Sequence, residues 1–398
     1  MNIDHPIIRL KPKTDARRLR RGFPWVYDNE LVTDRRTRAL VPGSLARLED
    51  ADRNPIATVA VNPNSKIFGR VLDADPGAEI DRAWMAKRIG RALKTRNALF
   101  DAPYYRLIHA EADGMPGVIV DRFGDAAVIQ PNAAWADVRL EELADVLAEV
   151  TGVTAIVKSG TGRARGLEGL DDASGLIRGT LSELIAVPMN GAIYMADLLG
   201  GQKTGLYYDQ RPTHAFVARL ARDTDVLDVF SHVGGFALAA LASGATSALA
   251  VDGSTAALTL AGAGAKASGV ADRFETNASD AFEAMTSLSE EGRSFGTVVC
   301  DPPAFAPHKQ ARDAGLRAYE KVARLAAALV ATDGTLTLCS CSHAAEIDQF
   351  RAASLRGIGR AGRACQILRT GFAGPDHPQH PHLAESGYLK AITFRLLG

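Results

Sequence analysis

Three short apolar runs, each with an aspartate at or near its carboxyl end and each leading into a turn or helix pattern, constrain this chain most. Asp225-Val226-Leu227-Asp228-Val229-Phe230 passes through Ser231-His232-Val233-Gly234-Gly235-Phe236 into an Ala/Leu-rich helix pattern. The run 247–251 ends at Asp252, ahead of a helix pattern over 254–266 that tolerates Gly262 and Gly264. The run 297–300 ends at Asp301-Pro302-Pro303; a helix pattern over 319–329 follows, and then 334–338 leads into Cys339-Ser340-Cys341-Ser342. Strand, turn and helix repeated in this order specify an open α/β sheet. Ligand-binding groups are expected at the carboxyl ends of its strands.

At 398 residues and 46% hydrophobic content, the chain can bury more than one core. Three domains are expected. Residues 1–72 mix β-rich runs such as Ile56-Ala57-Thr58-Val59-Ala60-Val61 with the turn signals Val41-Pro42-Gly43 and Asn62-Pro63-Asn64, as a small β barrel or mixed sheet would. Residues 73–188 read as an α+β domain, with helix patterns at 82–99 and 136–149 and strands at 118–121, 126–130 and 155–158. Residues 189–398 carry the α/β sheet. The 46 basic and 46 acidic side chains balance, which excludes a uniformly basic nucleic-acid coat protein. A local basic face remains open, because residues 1–38 hold ten Lys or Arg against five Asp or Glu, including Lys11, Lys13, Arg17, Arg18, Arg20 and Arg21. No signal-peptide core or bilayer-length apolar run is present, so a cytoplasmic enzyme without membrane contact is expected. The four cysteines lack paired CxxC spacings. No metal site is expected: Cys339-x-Cys341 alone is no ligand framework, and His377, His380 and His382, interspersed with Pro378 and Pro381, read as a solvent-facing loop.

The chain has no GxxxxGK[ST] phosphate loop and no full GxGxxG, which lowers the ATPase and dehydrogenase readings. Asp228 with residues 231–236 resembles the first signature of Rossmann-like class I methyltransferases. That resemblance implies that Asp228, Ser231, Gly234 and Gly235 surround the methionine part of S-adenosylmethionine, and glycine permits the close approach and unusual torsions this needs. Asp252 can accept two hydrogen bonds from a ribose diol, although the same placement would serve a dinucleotide. Asp280 resembles the acid near the cofactor adenine and equally suits the cap of a helix starting near Ala281. Two prolines after Asp301 make a rigid exit whose carbonyls project, suited to holding a planar base.

In order along the chain, Gly22-Phe23-Pro24-Trp25-Val26-Tyr27, residues 105–124, Gly201-Gln202-Lys203-Thr204-Gly205, Tyr208-Asp209-Gln210-Arg211, residues 230–236, Asp301-Pro302-Pro303-Ala304-Phe305 and Ser340-Cys341-Ser342 together resemble the YccW/RlmI-like family of large-subunit ribosomal RNA cytosine-C5 methyltransferases. The resemblance implies a class I Rossmann-like methyltransferase domain preceded by a small β-rich PUA-like RNA-binding domain and an α+β central domain. It implies 23S ribosomal RNA as partner and S-adenosylmethionine as cofactor, with Asp301 also near the cofactor, and it fits either a monomer or a homodimer. It places the nucleophile at Cys341, Asp301 at the cytosine edge, and Pro302, Pro303, Phe305, Lys203 and Arg211 toward the substrate. Such a nucleophile answers a chemical need, because cytosine C5 is an unactivated carbon and a thiolate added at C6 makes it electron-rich. Cys300 reads as a packing residue, and Asp301-Pro302-Pro303-Ala304-Phe305 lacks the second cysteine that some cytosine-C5 methyltransferases carry. Phe23, Trp25 and Tyr27 are stacking candidates that a small core equally needs. Two alternatives stand beside this reading: methylation of an exocyclic nitrogen through the Pro302 carbonyl, and a non-catalytic RNA-binding scaffold.

Overall fold

A computed structural model describes residues 5–200 and 205–397. The chain forms two compact units, one built from residues 1–183, 198–204 and 375–386, the other from 184–197, 205–374 and 387–398.

The first unit holds two five-stranded sheets. One orders Ile7–Arg9, Leu45–Glu49, Pro55–Val61, Gly69–Asp73 and Trp25–Val26, all antiparallel except the first pair. Its core is Ile8, Val26, Leu48, Val59 and their neighbours. Phe23, Trp25 and Tyr27 pack against one another with ring centroids 6.4–6.5 Å apart, half-buried rather than splayed into solvent. Of the basic cluster, Arg18 pairs with Glu30 and Arg20 with Asp50, whereas Arg17 and Arg21 are exposed. The other sheet orders Gly175–Arg178, Ala155–Lys158, Ala126–Pro131, Val118–Phe123 and Tyr104–His109. The helix pattern at 136–149 is realised as two helices, Ala134–Val138 and Leu140–Thr151, joined at Arg139.

The second unit carries a seven-stranded sheet. Its strands are β1 Asp225–Val229, β2 Ser247–Asp252, β3 Phe274–Ala278, β4 Phe295–Cys300, β5 Val330–Ser340, β6 Ala364–Phe372 and β7 Lys390–Leu397, in the spatial order β3-β2-β1-β4-β5-β7-β6. β7 runs antiparallel to both neighbours and the other pairs are parallel. β1 and β4 are continuous buried runs because helices cover both faces of a parallel sheet. The helices are α1 Arg211–Leu220, α2 Gly235–Ala242, α3 Thr255–Ala267, α4 Ala281–Glu290, α5 Arg312–Ala328 and α6 Ile347–Arg360. α5 and α6 approach closely at Gly357, where an added Cβ would lie 2.4 Å from the Glu320 carbonyl oxygen. Strand order reverses between β1 and β4, the place beyond the strand ends where open α/β sheets bind their ligands. Register aligns those ends: Val229 faces Val251 on one side and Cys300 on the other, Cys300 faces Leu338, and Ser340 faces Lys390.

Candidate active site

At the end of β1 the chain makes a tight turn with Phe230, His232 and Gly234 all at positive φ. Gly234 sits in the left-handed region as the residue before α2, where a side chain would be strained. Asp228 is fully buried and its Oδ2 accepts from the Ala237 amide at 2.9 Å, tying β1 to the first turn of α2. Burial pushes its carboxyl up to about 7 against the pull of the Ala237 and Phe236 amides, and the nearby Asp252 adds to the rise. Its Oδ1 and the Oγ of buried Ser231 have no hydrogen-bond partner within the protein. Buried polar groups are rarely left so, and two of them at one glycine turn suit a polar ligand.

Asp252 ends β2 and its two oxygens accept from the His232 and Ser254 amides, each at 2.8 Å. The carboxylate is thus fixed in orientation and keeps lone pairs on both oxygens for a diol. Asp280 realises the capping alternative: it is exposed and precedes α4, and its Oδ1 accepts from the Phe282 and Glu283 amides. The ring of Phe282, two residues on, stands 6.4 Å from both Phe230 and Phe305, which follow β1 and β4, an aromatic group that sequence reasoning misses.

Asp301 leaves β4 with its Oδ2 accepting from Gln210 Nε2 at 2.9 Å. Asp209 and Gln210, which the family resemblance sets at the border of the cofactor or RNA cleft and which otherwise read as surface polar residues, are buried: Asp209 accepts from the Tyr388 hydroxyl at 2.6 Å and Gln210 is 2% exposed. Arg211 opens α1 with its guanidinium 5.3 Å from the Tyr208 ring centre. Lys203 lies outside the described residues. Pro302 is buried and Pro303 exposed. Phe305 packs on Tyr319 with ring centroids 5.0 Å apart.

Cys341 follows the end of β5, partly exposed, with its Sγ 4.0 Å from the Pro302 carbonyl oxygen. Two loops far apart in sequence therefore meet at this thiol. A buried hydroxyl chain holds them together: Ser340 donates to the Tyr319 hydroxyl at 2.9 Å, Tyr319 and Ser342 share a bond of 2.8 Å, and the Ala306 amide donates to Ser342 Oγ at 2.9 Å. Cys300 and Cys339 are buried and their thiols are pushed up by burial, which keeps them neutral and unreactive. Burial also raises Cys365, which lies on β6 away from the loops.

The residues 377–382 correct the expectation of a solvent-facing loop in part. His377 is 4% exposed, its Nδ1 lies 3.1 Å from Asp376, and its ring centroid lies 5.0 Å from that of His109. Two histidine rings and a carboxylate pack there as buried structure, while His382 is exposed. Among the described residues no group of three or more His, Cys, Asp or Glu could hold a metal ion, and no helix is long and apolar enough to cross a membrane.

The strand order, the glycine turn at β1 and the acids at the ends of β1, β2 and β4 define a class I methyltransferase. The PUA-like domain family matches residues 8–74, and the S-adenosylmethionine-dependent methyltransferase family matches residues 138–395. The chain is 33% identical over 394 residues to ribosomal RNA large subunit methyltransferase I of Shewanella amazonensis, covering 98% of this chain and 99% of that one. It is 31% identical over 384 residues to the protein of the same name from Cronobacter sakazakii, covering 95% and 96%. Among solved structures, SMU.776, a methyltransferase complexed with SAH, aligns with a TM-score of 0.82 at 18% identity over 98% of this chain and 99% of that chain, a likeness of fold. The chain belongs to the S-adenosylmethionine-dependent methyltransferases and, within them, to the family of large-subunit ribosomal RNA methyltransferase I. Its cofactor is S-adenosylmethionine, which the unpartnered Asp228 Oδ1 and Ser231 Oγ and the fixed Asp252 carboxylate fit.

Asp252→Ala is expected to weaken S-adenosylmethionine binding by roughly tenfold, about the worth of a hydrogen bond to a charged acceptor. Calorimetry on folded protein checks this, and unaltered affinity would remove the ribose contact.

Proposed function

We propose that this enzyme methylates C5 of a cytosine in 23S ribosomal RNA through a covalent bond between Cys341 and C6. The observation that carries the reading is the meeting of the Cys341 sulfur with the Pro302 carbonyl, 4.0 Å apart, beside the Asp301 loop. The large-subunit ribosomal RNA named for the relatives supports the choice of RNA. Bound S-adenosylmethionine supplies the methyl group as an electrophile on a positively charged sulfur.

The thiolate of Cys341 adds to C6, and the C5–C6 π pair moves onto the ring, making C5 nucleophilic. C5 takes the methyl group. Loss of the C5 proton to a base then restores the C5–C6 double bond as the C6–Sγ bond breaks and the thiolate departs. Asp301, oriented by Gln210, faces the polar edge of the base, and Pro302, Pro303, Phe305 and Arg211 line its approach. Asp228, Ser231, Gly234, Gly235, Asp252 and Asp280 border the cofactor, Asp280 chiefly by positioning α4. Residues 1–72 serve RNA affinity, 73–188 form the central domain and 189–398 carry catalysis. A duplex base must leave its stack to reach such a site.

Site-resolved mapping of the methyl group on 23S ribosomal RNA treated with the wild-type enzyme tests the proposal. The expected product is 5-methylcytosine at one position; methyl on an exocyclic nitrogen would replace this mechanism with a Pro302-carbonyl one, and no transfer would favour a scaffold.

A further inference from the structure

Lys390 is a cation where a strand core should have none. It opens β7, pairs in register with Ser340 at the end of β5 and is 4% exposed. Its Nζ donates to the Ser342 carbonyl at 2.6 Å and the Ala345 carbonyl at 2.9 Å, so the ammonium fastens the loop immediately following Cys341. Among the described residues it makes no ion pair with a carboxylate. A buried ammonium without a counter-charge is costly, and two carbonyls only partly offset that. The group that favours its charged form is Cys341.

We propose that Lys390 is a positioning residue that holds the Cys341 loop and stabilises the Cys341 thiolate as its electrostatic partner. This rests on the assignment of Cys341 as nucleophile. The thiol proton leaves to solvent, Lys390 keeps its three protons below about pH 8, and the resulting thiolate belongs to the residue just before the Ser342 carbonyl that the ammonium binds. Burial draws the Lys390 ammonium down to about 8, while Cys341 opposes that fall. The other titratable groups around the loop do not supply a cation: Tyr319 from α5 is tied to Ser340 and Ser342 and raised by burial, Cys339 on β5 is raised by burial, and Asp301 at the end of β4 is a carboxylate. His343, two residues beyond Cys341, is exposed.

The test follows alkylation of Cys341 by iodoacetamide from pH 6 to 10 in the full-length protein without RNA, quantified at the Cys341 peptide by mass spectrometry. In Lys390→Met, alkylation at pH 7.5 is expected to fall about tenfold and its pH profile to move upward, as loss of a nearby opposite charge requires. Lys390→Arg is expected to restore most of the rate, and Cys365 in the same samples to react as in the wild type. An unchanged Cys341 profile in Lys390→Met that still binds S-adenosylmethionine would overturn the proposal. Should Lys390→Met fail to fold, the reciprocal measurement uses Cys341→Ser and follows Lys390 by nitrogen-15 NMR of its ammonium. Its titration is expected to move downward, and an unmoved titration overturns the pairing. Neither readout involves methyl transfer, so a product on exocyclic nitrogen would sink the C5 reading while leaving these results intact.

Discussion

Cys341→Ala is expected to lower methylation of ribosomal RNA by at least about 10³-fold while S-adenosylmethionine affinity stays within about twofold of wild type. The separation follows from what holds the loop. Ser340, Ser342, Tyr319 and Lys390 fix it through side chains and carbonyls other than the Cys341 sulfur. The contact of the sulfur with the Pro302 carbonyl is a weak one at 4.0 Å. Removing the sulfur leaves the scaffold standing and deletes the nucleophile proposed to add to C6. The cofactor contacts proposed at β1 and β2 lie on other loops. Turnover above a tenth of wild type in the folded variant would end the covalent proposal. RNA carrying 5-fluorocytosine at the target supplies the positive counterpart: C5 accepts methyl but cannot lose fluorine as it loses a proton. The adduct is then trapped, and peptide mapping is expected to place it on Cys341.

The parts of this site legible in the sequence are those set by local chain geometry. Parallel strands buried on both faces must be short continuous apolar runs, and β1, β2 and β4 announce themselves that way, with Asp228, Asp252 and Asp301 at or just beyond their ends. Asp280 is legible as a cap because the pattern after it is helical. What escapes depends on partners distant in the chain. Asp209 and Gln210 look like surface residues until Tyr388 and Asp301 arrive from far along the sequence. Lys390 resembles any polar residue at the start of a strand until β5 and its loop close over it. β6 is largely exposed, so its pattern carries no core signal. The segment 375–386 leaves the methyltransferase sheet between β6 and β7 and belongs to the first unit, where Asp376 accepts from the Arg106 amide. No periodicity records a detour of that kind, and so the burial of His377 leaves no trace in the local sequence.

Asp228→Asn is expected to make the cofactor-free protein markedly less sensitive to a rise in pH from about 4 to 7. The folded-state carboxyl of Asp228 is pushed to about 7 from an ordinary 3.8 by complete burial. Its folded value therefore lies above its unfolded one, so between these limits the unfolded chain releases a proton that the folded chain keeps. Stability is unaffected below about pH 4, is lost progressively as pH rises toward 7, and is lost no further above it. From pH 5 to pH 7 this spans two units at about 1.36 kcal/mol each, so the wild type is expected to lose roughly 2–3 kcal/mol more than the variant. Buried His109 and His214, drawn down to about 2 and 3, act in the opposite direction, losing stability as pH falls below the ordinary imidazole range. They titrate equally in both proteins and cancel in the comparison. The asparagine keeps an oxygen for the Ala237 amide at the 2.9 Å bond that joins β1 to α2, so the turn is preserved while the charge is removed. Urea unfolding of both proteins at pH 5 and pH 8 measures the difference. Parallel losses in the two would mean that Asp228 is already ionised in the folded protein, its Oδ1 satisfied by bound water rather than left for the cofactor.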